Sequence, residues 1–199
     1  MAKPGRPKSF DRTEALTKAM EVFWKYGYEP ASLSSLRQAM GISSASLYNI
    51  WSSKEELFKD ALNLYIEKCG NQFLFEKDDN CSALDSLKSS LIHTAKIQTN
   101  PSHPLGCMVF LAAINCGPES QHICKMLTSL KEQRRKNIEE LILTAQQEGS
   151  LTLIAGPKEL SQIIDLLLRG MALQAQDGVK EDSILHSIDL ILNLFSSKS

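Results

Sequence analysis

The stretch SLSSLRQAMGISSASLYNIW, residues 32–51, decides the fold. Leu33, Leu36 and Met40 recur at helical spacing, and Ser32 stands before them as a cap. Gly41 then stops the segment and Ile42 leads directly to Ser43, a second cap, which opens a further short helix over Ser44-Ala45-Ser46-Leu47-Tyr48-Asn49-Ile50. Two short helices joined by a glycine turn have the dimensions of a helix-turn-helix, whose second helix enters a DNA major groove with its N-terminal residues against the base edges. Geometry of this kind also occurs between ordinary core helices, so the residues have to decide. Ser43, Ser44, Ala45 and Ser46 are all small, which lets backbone N–H groups come close to phosphate.

Working outward, the same helical grammar covers the chain. On the N-terminal side, Asp11 and Glu14 have capping-box spacing, Phe10 can staple onto the first turn, and Ala15, Leu16, Ala19, Met20, Val22 and Phe23 make an apolar stripe that stops at Gly27. On the C-terminal side, Ser53 and Glu56 form a second capping box before Leu57, Phe58, Ala61, Leu62 and Tyr65. Leu84, Leu87, Leu91 and Ala95 mark a helix that ends before Pro101. A short apolar segment, CMVFLAAINC, begins at Cys107, and a long helix runs to Gly149. Pro157 suits a first helical turn, and Leu160, Ile163, Ile164, Leu167, Leu168 and Met171 follow it at i, i+3, i+4, i+7, i+8 and i+11. A last helix carries Ile188, Ile191, Leu192 and Phe195. We therefore expect an all-α protein of about nine helices.

Composition limits the partners. The chain has 199 residues, 43% hydrophobic and 23% charged, with a net charge of −1. That suffices for a packed core, and no apolar run has the length of a membrane span. We expect a cytoplasmic protein with no membrane partner. The first twelve residues carry Lys3, Arg6, Lys8 and Arg12 against Asp11, whereas residues 61–199 are mildly acidic, so any nucleic-acid contact must be local. The five cysteines give neither a disulfide framework nor a zinc-ligand spacing. Reduced thiols are expected, with no metal and no cofactor. There is no P-loop, nucleophile elbow, HExxH or dinucleotide fingerprint, and we expect no enzyme activity.

From Phe10 to Tyr65 the sequence resembles the TetR family of transcriptional regulators. The resemblance is carried by Phe23, Gly27-Tyr28, Ser32-Leu33, Leu36, Gly41-Ile42-Ser43, Leu47-Tyr48, Trp51 and Ser53-Lys54-Glu55-Glu56-Leu57. Gly106-Cys107-Met108-Val109-Phe110 is similar to a Gly-Cys-apolar stretch of one branch of that family. The resemblance implies a three-helix DNA-binding domain over residues 1–52, followed by an effector-binding and dimerisation domain over 53–199. It further implies a homodimeric repressor that binds a palindromic double-stranded operator and is released by a small-molecule effector. Tyr48, Lys54 and Ser32 match positions that touch phosphate. Two departures stand out: the family usually has a small residue at Arg37 and Phe at Trp51.

The second helix of the motif carries no basic residue, so base reading falls to Ser44, Ser46 and Asn49, with Ala45 against thymine methyls. Arg6 and Lys8, in the GRPK arm, resemble extended clamps that lie in narrow minor grooves. We expect the effector pocket among Phe73, Cys107, Met108, Phe110 and Met126. The dimer interface is expected on Leu160, Ile163, Ile164, Leu167, Leu168 and Met171 of one helix, with Ile188, Ile191, Leu192 and Phe195 of the last. The alternatives are an effector-free DNA-binding protein acting through a protein partner, and a thiol-based redox or electrophile sensor using Cys107.

Overall fold

The structure, a computed structural model, describes residues 11–69, 73–112, 117–151 and 155–196, the side chains of 195 and 196 excepted. Among them the chain is all-helical, as expected. α1 (Arg12–Tyr26), α2 (Leu33–Met40) and α3 (Ser44–Ile50) form the N-terminal unit, and α4 (Lys54–Cys69) runs out of it. α5 (Ala83–Thr99), the one-turn α6 (Met108–Leu111), α7 (Gln121–Gln147), α8 (Pro157–Gln176) and α9 (Glu181–Ser196) make the body, with a 3₁₀ turn at Pro118–Ser120 before α7. Among the described residues no helix is long and apolar enough to cross a membrane.

The sequence signals act where expected. Asp11 accepts from the backbone N–H groups of Thr13 (2.8 Å) and Glu14 (3.2 Å), which satisfies two of the free donors at the start of α1. Ser53 caps the Glu56 N–H at 3.1 Å, but the Glu56 carboxylate reaches back to the N–H and hydroxyl of Ser52 rather than to Ser53. Those bonds to Ser52 hold the Glu56 carboxyl below its ordinary pKa. Pro157 sits in the first turn of α8, where its missing N–H has no helical partner to lose.

An aromatic spine ties the N-terminal unit to the body. The rings of Phe23 and Phe58 meet edge to face at 5.0 Å, as do Tyr28 and Phe58 at 5.0 Å, Trp24 and Tyr65 at 4.8 Å, and Tyr65 and Phe73 at 5.8 Å. Such pairs contribute about 0.5–1.5 kcal/mol each beyond their burial. They fix α4 on α1, so α4 cannot shift without disturbing the helices that carry the turn.

In the body the apolar stripes of α8 and α9 turn inward. Leu160, Ile164, Leu168, Met171, Ile188 and Leu192, expected at a dimer interface, are all buried in the protomer's own core. Hydrophobic periodicity marks the most apolar face of a helix, and in a bundle that face is used first against the protomer's neighbouring helices. Ile163 is exposed, Leu167 and Ile191 are half-buried, and the side chain of Phe195 lies outside the described residues. What α8 leaves in solvent is a second stripe at i, i+3, i+7 and i+10: Ile163, Leu166, Gly170 and Leu173. Leu166 is 68% and Leu173 50% exposed, and Leu190 of α9 is 52% exposed.

Candidate DNA interface and the cavity behind it

Gly41 adopts the left-handed conformation (φ 68°, ψ 29°) that ends α2 and turns the chain toward α3. Ser32 and Ser43 are the N-caps of α2 and α3; their hydroxyls accept from the N–H groups of Ser35 (3.0 Å) and Ser46 (3.1 Å). Fully buried Leu47 and Trp51 anchor α3 from behind. Ser44, Ala45, Tyr48 and Asn49 then share its solvent face at i, i+1, i+4 and i+5, with Tyr48 53% exposed. Ser46 is half-buried and its hydroxyl lies 3.0 Å from that of Ser43, so it serves the cap more than the open face.

Trp51 shows what the departure from Phe does. Its indole N–H donates to Asp60 Oδ2 at 2.9 Å, and the Arg12 guanidinium reaches the same oxygen at 2.9 Å while lying 5.6 Å from the Trp51 ring. The C-terminal end of α3 is thereby tied to α1 and α4 at once. Trp51→Phe removes the donor and also part of a fully buried bicyclic ring; urea denaturation should show a loss of about 2–4 kcal/mol, hydrogen bond and cavity together.

Lys54 lies differently from a free phosphate contact. Its ammonium donates to the Glu29 carbonyl at 3.2 Å and stands 4.5 Å over the Tyr28 ring, and burial lowers its pKa against the opposing pull of the Glu29 carboxylate. Reaching a phosphate would require it to leave both partners. Arg37, by contrast, noted in the sequence only as a departure from a small residue, is a cation placed at the motif. It projects from α2 across the Gly41 turn and donates to the Ser44 hydroxyl, which places positive charge at the start of α3. Its contact with α3 was signalled only by spacing, seven residues before Ser44 across a turn. Arg6 and Lys8 lie outside the described residues.

Behind this unit the body makes a row of contacts to it. The Trp24 indole N–H donates to the Gly106 carbonyl at 3.1 Å, and its ring stacks on His103 at 4.4 Å. The Ser120 hydroxyl donates to the Glu29 carboxylate, and His122 Nε2 lies 3.0 Å from Glu55. A Cβ at Gly27 would meet the Leu111 carbonyl oxygen of α6 at 3.6 Å. α6 and the segments flanking it therefore abut the rear of the helix-turn-helix.

Between α4, α5, α6 and α7 lies a small cavity lined by Tyr65, Cys69, Phe73, His93, Cys107 and Arg134, among others. Of the residues expected to form an effector pocket, Phe73 and Cys107 line it. Met108 and Phe110 are buried beside it on α6, and Met126 is a half-buried core residue on α7. Cys107, 1% exposed, has its Sγ 3.5 Å from the Tyr65 hydroxyl, and burial pushes the neighbouring Cys69 thiol up to about 12. Cys69, Cys81 and Cys107 are free thiols, whereas Cys124 is disulfide-bonded, so the expectation of reduced thiols fails at that position.

An all-helical chain with an exposed short helix behind a capped glycine turn, held to a separate helical body, defines a helix-turn-helix transcriptional regulator. The protein belongs to the TetR family. The model of bacterial regulatory proteins of the tetR family matches residues 15–61. The chain is 34% identical to the TetR family transcriptional regulator CifR, a cysteine mutant of which was solved complexed with 26-bp double-strand operator DNA. That match covers 96% of this chain and 100% of that one, with a TM-score of 0.86. Over 195 residues it is 28% identical to the HTH-type transcriptional repressor ComR of Escherichia coli (strain K12), covering 96% of this chain and 91% of ComR. Over 123 residues it is 28% identical to the repressor BdcR of the same organism, covering 60% of this chain and 61% of BdcR. The chain is thus a DNA-binding transcriptional regulator.

Proposed function

We propose that this chain is a homodimeric repressor that binds a palindromic operator through α3 and releases it when a small molecule occupies the body. The observation that carries the first half is the outward face of α3, where Ser44, Ala45, Tyr48 and Asn49 stand clear of the core while Leu47 and Trp51 fix the helix from behind. Asn49 can donate and accept at an adenine edge, Ser44 can bond either kind of base, and Tyr48 is placed for the backbone. Arg37 supplies the cation that α3 lacks. The operator-bound form of CifR and the repressor names of ComR and BdcR agree with this reading.

Dimerisation is assigned to the stripe Ile163, Leu166, Gly170 and Leu173, with Leu190 of α9. Large apolar side chains at regular spacing on a helix that already has a buried face are what a partner helix requires. Among the described residues Gly170 has nothing within 4 Å of its would-be Cβ, so a partner's backbone can come close there. Light scattering should return twice the 22.1 kDa chain mass; a monodisperse monomer at micromolar concentration would overturn the assignment.

The reading unit ends near Trp51–Ser52, and α4 with α6 transmits the state of the body to it. A ligand that favours a body in which α6 has shifted lowers operator affinity by its differential affinity for the two states. The thiol-sensing alternative has one observation in its favour, the Cys107 sulfur beside the Tyr65 hydroxyl in the cavity. Operator binding unaltered by Cys107→Ser under oxidant or electrophile would dispose of it.

Arg37→Ala provides a local test of the DNA face. If Arg37 neutralises one phosphate per protomer, its loss should reduce the slope of log K against log salt by about 0.9 for each contact. Anisotropy titrations across a salt series measure this, and an unaltered slope would confine Arg37 to its bond with Ser44.

A further inference from the structure

Arg134 of α7 is 1% exposed, and among the described residues its Nε and Nη2 have no hydrogen-bond partner. Buried guanidinium groups are normally paired and hydrogen-bonded, because an uncompensated buried charge is strongly destabilising. The nearest acid, Asp165, does not take these protons: its Oδ2 accepts from Arg169 Nε at 2.8 Å and its Oδ1 stays 3.8 Å from Arg134 Nη2. Nε and Nη2 lie on one edge of the guanidinium, the edge that offers two parallel N–H groups to a carboxylate. Its faces are covered by Phe110, with the ring centroid 4.5 Å from the guanidinium carbon, and Phe73, at 5.4 Å. An incoming group therefore meets the edge.

The surrounding charge has the same sense. Lys131, Arg134 and Arg169 gather around Asp165; burial lowers the Lys131 pKa, and the Arg169 charge lowers it further. Against three cations and one carboxylate, an added anion relieves repulsion. A second orphan lies in the same cavity: Gln98, 1% exposed, has an Oε1 with no partner among the described residues. The cavity thus offers a paired donor edge to an anion and a lone acceptor to a hydroxyl.

We propose that the cavity is a binding site for a small hydroxycarboxylate of about the size of glycolate or lactate. Its carboxylate takes the Nε–Nη2 edge of Arg134 and its hydroxyl donates to Gln98. As it stands the cavity has about 10 Å³, room for about one water. The ligand enters only by moving the lining. Phe110 is the lining's neighbour with most leverage, since its ring lies on Arg134, 5.2 Å from the Arg169 guanidinium carbon, and belongs to the four-residue α6 whose Leu111 carbonyl abuts Gly27 of the DNA-reading unit. This last step, from cavity to DNA, rests on the effector reading above; the binding site does not.

Calorimetry and thermal denaturation of the full-length protein test the site, with glycolate and L-lactate as probes, propionate as the analogue lacking the hydroxyl, and lactamide as the uncharged analogue. Binding of the hydroxy acids is expected, with propionate about tenfold weaker and lactamide weaker by about a hundredfold, the worth of one neutral and of two charge-assisted hydrogen bonds. Arg134→Met should abolish binding. Because that variant alters a buried group, two others keep the guanidinium: Asp165→Asn should tighten binding by removing the competing carboxylate, and Gln98→Met should reduce L-lactate to the level of propionate. No binding of either hydroxy acid, equal binding of lactamide, or weaker binding by Asp165→Asn would overturn the site. Operator affinity measured with L-lactate present separates the two readings: binding without operator release leaves the site standing and contradicts its effector role, and absence of binding removes the site while leaving release by another molecule open.

Discussion

Leu166→Glu combined with Leu173→Glu is expected to give a folded monomer that has lost specific operator binding. Both side chains are at least half exposed in the protomer, so the substitutions leave its core untouched. In the dimer they would place two pairs of symmetry-related carboxylates in an apolar contact. Each leucine contributes about 1.5–3 kcal/mol by burial, and an unpaired buried charge costs several kcal/mol more, so the dimer should weaken by well over a thousandfold. The loss then passes to DNA. A monomer reads one half-site, and the gain from a linked second half, of the order of 10² to 10⁴, disappears. Light scattering and circular dichroism should show half the mass with unaltered helicity; a surviving dimer would place the interface elsewhere.

Gly106→Ala is expected to be the most destabilising single substitution in the segment between α5 and α6, on which Trp24 of α1 packs. Gly106 has φ +82°, a conformation that L side chains rarely adopt, and a Cβ there would stand 2.8 Å from the Ala172 carbonyl oxygen of α8 and 3.1 Å from Leu111 Cδ1. A backbone carbonyl cannot swing aside as a side chain can. Strain and displacement together should cost about 2–4 kcal/mol, which for a chain of this size is a fall of roughly 5–15 °C in Tm. The Gly106 carbonyl also accepts from Trp24, so the displaced segment would disturb α1 as well. Chemical denaturation checks the figure, and a loss below about 0.5 kcal/mol would show that α8 yields freely.

The helix-turn-helix was legible because its determinants are local. Ser32, Gly41 and Ser43 act on the backbone within three or four residues of themselves, and capping and the left-handed turn leave their mark in one short window. The faces of α8 and α9 were legible only in part. Periodicity picked out Leu160, Ile164 and Leu168, which bury first, and could not rank Leu166 or Leu173, whose exposure depends on where α5 and α7 lie. Arg134 was invisible for the opposite reason. An arginine among Lys131, Glu132, Arg135 and Lys136 belongs by sequence to a solvated helix face, and only the closing of Phe73 and Phe110 over it makes it a buried cation. Arg37 was seen as a departure from a small residue, and its reach to Ser44 required the turn geometry.

The central claim, that α3 of a two-fold dimer reads the operator, is tested most directly by selecting bound sites from a random double-stranded pool with the full-length protein and with Asn49→Ala. The account predicts an inverted repeat for the full-length protein, with half-sites about one helical turn apart or a multiple of it, and for Asn49→Ala relaxed preference at the same base in both halves, at a cost of about 1–3 kcal/mol. An enriched motif with no two-fold symmetry, or one whose base preferences are identical for the two proteins, would contradict it.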